Sequence, residues 1–286
     1  MPIAYGLIEP VELQLPHLPA NLEGLRIAHI TDLHVTRPTR RLDRLISHLA
    51  SIRIDLIFLT GDYITRKNHE KAGVAFLNRL CQGVQPNIGM IGVFGNHDTP
   101  RFRRFCDDLP IRWLSNQACR LSVDRDDSGV SGAQAHIDVF GLDGGKIRGA
   151  DSVALAIDYI GEGNPSGGPD NSRPLRMMLS HYPNEITTAS DLGVDLMFAG
   201  HTHGGQWCLP TGRALMNSSD LPLRLSSGLL RHRNMLVMIS RGLGEVMPRG
   251  FPRFRLFCSP HVPLYTLRCS NLPGRYCEEI ELIRKW

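Results

Sequence analysis

The sequence has no cysteine pair spaced C-x-x-C, no charged and apolar leader at its N-terminus, no internal repeat and no low-complexity tract. Each absence excludes something. The seven cysteines (Cys81, Cys106, Cys119, Cys208, Cys258, Cys269, Cys277) are odd in number and unpaired in spacing, which argues against a disulfide framework and against a zinc knuckle. Most of them read as small buried hydrophobes in a reducing compartment. Prolines and acids interrupt the opening stretch MPIAYGLIEPVELQLPHLPANLEG, so it reads as neither a signal peptide nor a membrane span, and a cytoplasmic location is expected. No recognised nucleic-acid module is present, and a net charge of +4 is too modest to imply a polyanionic partner. What remains is 286 residues at 42% hydrophobic and 21% charged, an ordinary globular composition able to bury a sizeable core.

Along the first hundred residues apolar, β-branched runs alternate with segments of helical period. Leu25–Ile30, Asp55–Thr60 and Ile88–Phe94 read as buried strands, while Arg41–Ser51 and Val74–Cys81 read as helices. This alternation predicts βαβ units and a largely parallel sheet. Shorter strands are expected at Ile111–Leu114, Cys119–Val123 and His136–Leu142, with a polar loop at Asp124–Gln134. A helix is expected over Asp151–Ile160, followed by the Gly/Pro-rich loop GEGNPSGGPDNSRP. Leu175–Leu179, Val194–Ala199, Met235–Ile239, Phe254–Phe257 and Val262–Leu267 complete the expected strands. No composition shift marks a domain boundary, so residues 1–286 read as a single domain, with a motif core over 25–210 and a basic, β-rich part over 221–286.

Five short blocks carry the chemistry: Asp32-Leu33-His34, Gly61-Asp62, Gly95-Asn96-His97-Asp98, Ser180-His181-Tyr182-Pro183 and Gly200-His201-Thr202-His203-Gly204-Gly205. Four of the five follow an apolar run directly, so they sit where strands end and loops begin, the usual place for a site in an open α/β sheet. Two Asp, one Asn and four His, with His97 beside them, suit two divalent ions sharing one carboxylate. Mixed O and N donors without thiolate favour Mn, Fe or Zn over Ca.

In this order the blocks D-x-H, G-D, G-N-H-D, H and G-H-x-H resemble the signature of the calcineurin-like metallophosphoesterases. LTGDYI, SHYP, AGHTHGGQ and SRGLG further resemble the bacterial phosphodiesterase subgroup that includes YkuE-like and YaeI-like proteins. The resemblance implies a four-layer α-β-β-α sandwich with a dimetal site at the strand ends. It also implies hydrolysis of a phosphodiester or pyrophosphate bond. By matching motifs, Asp32, His34 and His203 would hold one metal, Asn96, His181 and His201 the other, and Asp62 would bridge them. His97 would contact the phosphate and assist the leaving oxygen, and Asp98 either orients His97 or caps the loop that follows. Thr65 stands where the family's phosphatases place a supporting Asp, and Arg66 matches their phosphate-gripping Arg; its alternative is a solvated loop side chain. A phosphomonoesterase or nuclease on the same site, and a non-catalytic scaffold of the same fold, are the alternatives.

Residues 221–286 hold eleven Lys and Arg against four Asp and Glu. Arg224, Arg231, His232, Arg233, Arg241, Arg249, Arg253 and Arg255 interleave with Leu223, Leu225, Leu229, Leu230, Phe251, Phe254 and Phe257. Such mixing is expected to form a cationic, apolar rim for an anionic lipid or membrane surface, with the protein peripheral on it. A plain solvated face is the bland alternative, and nucleic acid is the least favoured partner. Enzymes that cleave UDP-2,3-diacylglucosamine belong to the same superfamily, which makes a lipid-linked sugar nucleotide a candidate substrate.

Overall fold

A computed structural model of the chain describes residues 7–124, 135–143, 173–246, 254–270 and 275–286. The expected alternation begins one element late, because a strand missed in the sequence comes first. This β1 (Ile8–Leu15) pairs in parallel with β12 (Val262–Cys269). It contains Pro10 and lies at a sheet edge, where a residue without an N–H is tolerated. Next come β2 (Arg26–Ile30), helix α1 (Arg40–Ala50), β3 (Leu56–Thr60), α2 (Glu70–Gly83), β4 (Gly89–Val93) and a short α3 (Pro100–Phe105). Thr39 caps α1 by accepting from the Leu42 N–H, and Thr99 caps α3 by accepting from the Phe102 N–H. β5 (Arg112–Trp113) completes a six-stranded sheet in the order β1-β12-β2-β3-β4-β5.

The second sheet has seven strands. It contains β6 (Gln117–Val123), β7 (Ala135–Leu142), β8 (Leu175–Ser180), β9 (Leu196–Ala199), β10 (Gly228–His232), β11 (Met235–Ile239) and β13 (Glu281–Arg284), in the order β13-β10-β11-β9-β8-β7-β6. Helix α4 (Ile186–Asp191) joins β8 to β9.

The cores show how the layers stack. Leu13, Ile27, Phe58 and Val93 of the first sheet pack with Ile137, Met177, Phe198 and Met238 of the second, so the sheets face one another across one apolar layer. Leu45 and Leu49 of α1 and Leu77 and Leu80 of α2 cover the outer face of the first sheet. Ile186 and Ala189 of α4 pack on Met178, Met197 and Val237 outside the second. The result is α-β-β-α, as the resemblance implied. β3 (LIFLT) is buried along its whole length because both its faces are covered.

Some expectations fail. Phe254–Phe257 is no strand; of those residues only Leu256 pairs, in an isolated bridge to Trp207. The expected helix over 151–160 lies outside the described residues, as do residues 125–134 and 161–172 of the two polar loops. Among the described residues, no helix is long and apolar enough to cross a membrane.

Candidate metal centre

Backbone conformation singles out the site before any side chain is considered. Nine non-glycine described residues have positive φ, and five of them are Asp32 (49°), His34 (44°), Asp62 (55°), His201 (69°) and His203 (51°). This region is costly for side-chain-bearing residues, and such strain clusters where function over-determines the backbone. Here adjacent strand ends pin each other. The N–H groups of Asp32, His34 and Val35 donate to the carbonyls of Gly61, Asp62 and Tyr63 at 2.8–3.0 Å, extending the β2–β3 pairing past the strands. Two glycines let the blocks close up. A Cβ on Gly95 would overlap the Asp62 carboxylate, and one on Gly200 would overlap the Thr31 hydroxyl and the Asp32 carboxylate.

The ends of β2, β3, β4, β8 and β9 therefore bring the five blocks together. Two three-residue groups could each hold a metal ion: Asp32, His34 and His203, and Asp62, His181 and His201, with ligand atoms within 4.8 Å of one another in each. Asp62 Oδ2 lies between them, 3.2 Å from His181 Nε2 and 3.6 Å from His34 Nε2. His203 Nε2 is 3.3 Å from Asp32 Oδ1 and 3.2 Å from His34 Nε2. Asn96 Oδ1 is 3.2 Å from His181 Nε2, which is in turn 3.2 Å from His201 Nδ1.

The ring nitrogens facing away decide whether this donor set fits metal ions. His181 Nδ1 lies 2.8 Å from the Thr60 carbonyl and His201 Nε2 lies 3.0 Å from the Ser218 carbonyl. Each must carry its proton there, which leaves His201 Nδ1 as a lone pair aimed inward. Burial acts to lower His181, but the Asp62 charge raises it to about 9, so its Nε2 would become a donor only by giving up a proton to an incoming ion. Burial, then the neighbouring His181, lowers His201 to about 4, and burial with His34 and Arg255 holds His203 well below the usual imidazole range. Both are neutral donors at pH 7. Burial acts to raise Asp62, but the charge and hydrogen bond of His181, with His34 and His97, hold its carboxyl below the ordinary range. Convergent lone pairs around an ionised carboxylate are a donor set that suits divalent ions.

The outer residues part from expectation. His97 donates its backbone N–H to Asp62 Oδ1 at 2.8 Å, and its Nδ1 lies 2.9 Å from the Thr65 carbonyl. Asp98 does not orient that ring. Its buried carboxylate accepts from the backbone N–H groups of Asp62, Gly95 and Tyr63 at 2.8–2.9 Å and of Ile64 at 3.4 Å, because the tight crossing of the β3 and β4 loops leaves those donors no other partner. Asp98 thus touches the loops that carry Asp62 and Asn96, which is the contact of a positioning residue. Arg66 is exposed and does not line the cavity over the centre. That cavity, of about 270 Å³, is bounded by Asp62, His97, His201, Thr202, His203, Gly205, Gln206, Met216, Asn217, Ser218 and Val246. Gln206, Asn217 and Ser218 went unrecognised in the sequence; only their position after G-H-T-H-G-G could have drawn attention to them.

The profile of the calcineurin-like phosphoesterase family matches residues 25–205. The chain belongs to that family. Among relatives of this phosphoesterase, the metallophosphoesterase YkoQ of Bacillus subtilis is 29% identical, over 80% of this chain and 79% of YkoQ. The UDP-2,3-diacylglucosamine pyrophosphatase LpxG of Chlamydia muridarum is 26% identical, over 92% and 89%. The phosphodiesterase YaeI of Escherichia coli is 24% identical, again over 92% and 89%. This phosphoesterase is accordingly a hydrolase of phosphoester bonds.

Among the described residues, three of the arginines expected in the cationic rim are engaged within the fold. Arg255 is turned inward, donating to the carbonyls of His203, Arg241 and Gly244 at 2.6–3.2 Å. Arg233 pairs with Asp191 and Glu278, and Arg231 donates to the Arg275 carbonyl. Arg249 and Arg253 lie outside the described residues. Sequence interleaving carries no information about which of these side chains is spent on a carbonyl or a carboxylate.

Proposed function

We propose that this phosphoesterase hydrolyses phosphodiester or pyrophosphate bonds at one centre that takes two divalent ions, Mn, Fe or Zn. The observation that carries the reading is the position of Asp62 Oδ2 between His34 and His181, one carboxylate oxygen within reach of both ligand groups. Asp32, His34 and His203 would hold one ion, Asn96, His181 and His201 the other, with Asp62 shared. When bound, two such ions supply the positive charge that activates water and neutralises phosphoryl oxygens. The protein does the rest. Residues 1–286 act as one domain, in which two sheets sharing one core hold the five blocks at adjacent strand ends. With Nδ1–H engaged by the Thr65 carbonyl, His97 keeps Nε2 for passing a proton to the leaving oxygen. His97 also lines the cavity with Asn217 and Ser218, which offer neutral polar contacts to the rest of the substrate.

Within this class an acylated sugar nucleotide such as UDP-2,3-diacylglucosamine is the finer candidate, supported by the similarity to LpxG over nearly the whole chain. The test is hydrolysis of bis(p-nitrophenyl) phosphate against p-nitrophenyl phosphate, using metal-stripped protein reloaded with Mn²⁺, Fe²⁺ or Zn²⁺. Metal-dependent cleavage favouring the diester is expected. Cleavage of the monoester alone would replace the proposal with a phosphomonoesterase.

A further inference from the structure

Exposed apolar side chains are unevenly spread over this molecule. Ten large ones are exposed among the described residues. Six of these, Leu209, Leu215, Met216, Phe254, Leu256 and Phe257, come from the two short segments 209–216 and 254–257. Backbone bonds knit the segments together. Cys208 N–H donates to the Leu256 carbonyl at 2.8 Å, Leu215 N–H to the Trp207 carbonyl at 2.9 Å, and Leu209 N–H to the Arg213 carbonyl at 2.9 Å. Trp207 stacks on Phe254 with ring centroids 5.5 Å apart. Cys208, Ala214 and Cys258 form a small inward cluster, and by alternation along the chain their neighbours Leu209, Leu215 and Phe257 point outward, Phe257 at 61% exposure. A contiguous apolar ridge of this kind marks an interaction surface.

Two further observations say what covers it. The ridge starts at the lip of the metal-centre cavity, because Gln206 and Met216 line that cavity and the Gln206 amide donates to the Phe254 carbonyl. Residues 205–216 and 254–260 contain no acid, and of their two arginines Arg255 is spent internally while Arg213 is exposed at the turn between Leu209 and Leu215. A two-fold contact of the ridge with itself would bring the two Arg213 guanidiniums towards each other, whereas lipid phosphates would pair with them.

We infer that this ridge docks the protein on an anionic lipid bilayer, with Leu209, Leu215 and Phe257 among the acyl chains and the cavity mouth at headgroup level. The ridge shares Phe254 and Phe257 with the Arg-rich rim expected from sequence but presents none of that rim's arginines, and docking does not depend on the hydrolytic reading. Presentation of the cavity to a lipid-borne phosphoester does rest on it.

Flotation of the full chain with vesicles tests the inference, using phosphatidylcholine alone and phosphatidylcholine with roughly one-third phosphatidylglycerol, an anionic fraction high enough to attract basic residues. The wild type should float with the anionic vesicles. Leu209→Ser/Leu215→Ser/Phe257→Asn should lower the partition coefficient about tenfold or more, since it removes most of the insertable apolar area; Asn suits the positive φ at position 257. Arg213→Glu, which leaves the ridge intact, should lower it about fivefold and only on anionic vesicles. Both variants should cleave bis(p-nitrophenyl) phosphate like the wild type, so loss of docking and loss of hydrolysis are read separately. Failure of the wild type to float, or equal flotation of all three proteins, would overturn the inference. So would a wild-type dimer in light scattering that the triple variant makes monomeric without any vesicle binding.

Discussion

His97 turns Nδ1 to the Thr65 carbonyl, while Asp98 beside it collects backbone N–H groups from both loops that carry Asp62 and Asn96. Adjacent in sequence, the two should therefore fail differently. His97→Asn is expected to retain metal and stability while slowing diester cleavage by about 10²–10⁴-fold, the usual worth of acid–base assistance. Metal analysis beside turnover checks this, and loss of metal would show His97 to be a ligand. Asp98→Ala strands several buried N–H donors, so it should cost on the order of 3 kcal/mol in urea unfolding and weaken metal binding with it. Gly95→Ala should empty the centre too, because the added Cβ meets the Asp62 carboxylate and neither backbone nor carboxylate can move freely.

At the scale of elements, the loops after β9 and β11 are held together by Arg255, whose guanidinium spans carbonyls of His203, Arg241 and Gly244. Arg255→Ala should lower metal affinity about 10–100-fold, as loss of an outer partner of a ligand does, and Arg255→Lys should restore little because an ammonium cannot fork. Isothermal titration with Mn²⁺ measures both. The buried parallel strands were legible in the sequence because each reads as an apolar run ending in a motif block. Of the edge strands, β5 and β6 were legible as well, whereas β1 and β13 were not. β1 alternates apolar and polar from Val11 to Leu15, but Pro10 and the other prolines and acids of the opening stretch mask that pattern, and β13 is four residues long with no buried member. Phe254–Phe257 misled in the other direction, its aromatic composition suiting a strand while its residues serve the exposed ridge. The five blocks that the fold brings together could be read because they come as motifs. The roles of Asp98, Arg66 and Arg255 could not, since they depend on which backbone groups lie nearby after folding.

For the whole molecule, the centre depends on two sheets holding register across one apolar layer. Phe198 on β9 meets Phe58 of the opposite sheet at 4.9 Å and Tyr265 of β12 at 5.6 Å, fully buried. Phe198→Ala should cost about 3–5 kcal/mol of stability, measured by urea unfolding of the metal-loaded protein. The most direct test of the central claim is metal stoichiometry and diester turnover followed together as Mn²⁺ is returned to stripped protein. The account predicts binding that saturates at two ions per chain, turnover that rises with the second, and an Asp62→Asn variant that shows neither. Saturation at fewer than two ions, or full turnover by Asp62→Asn, would contradict a shared-carboxylate centre.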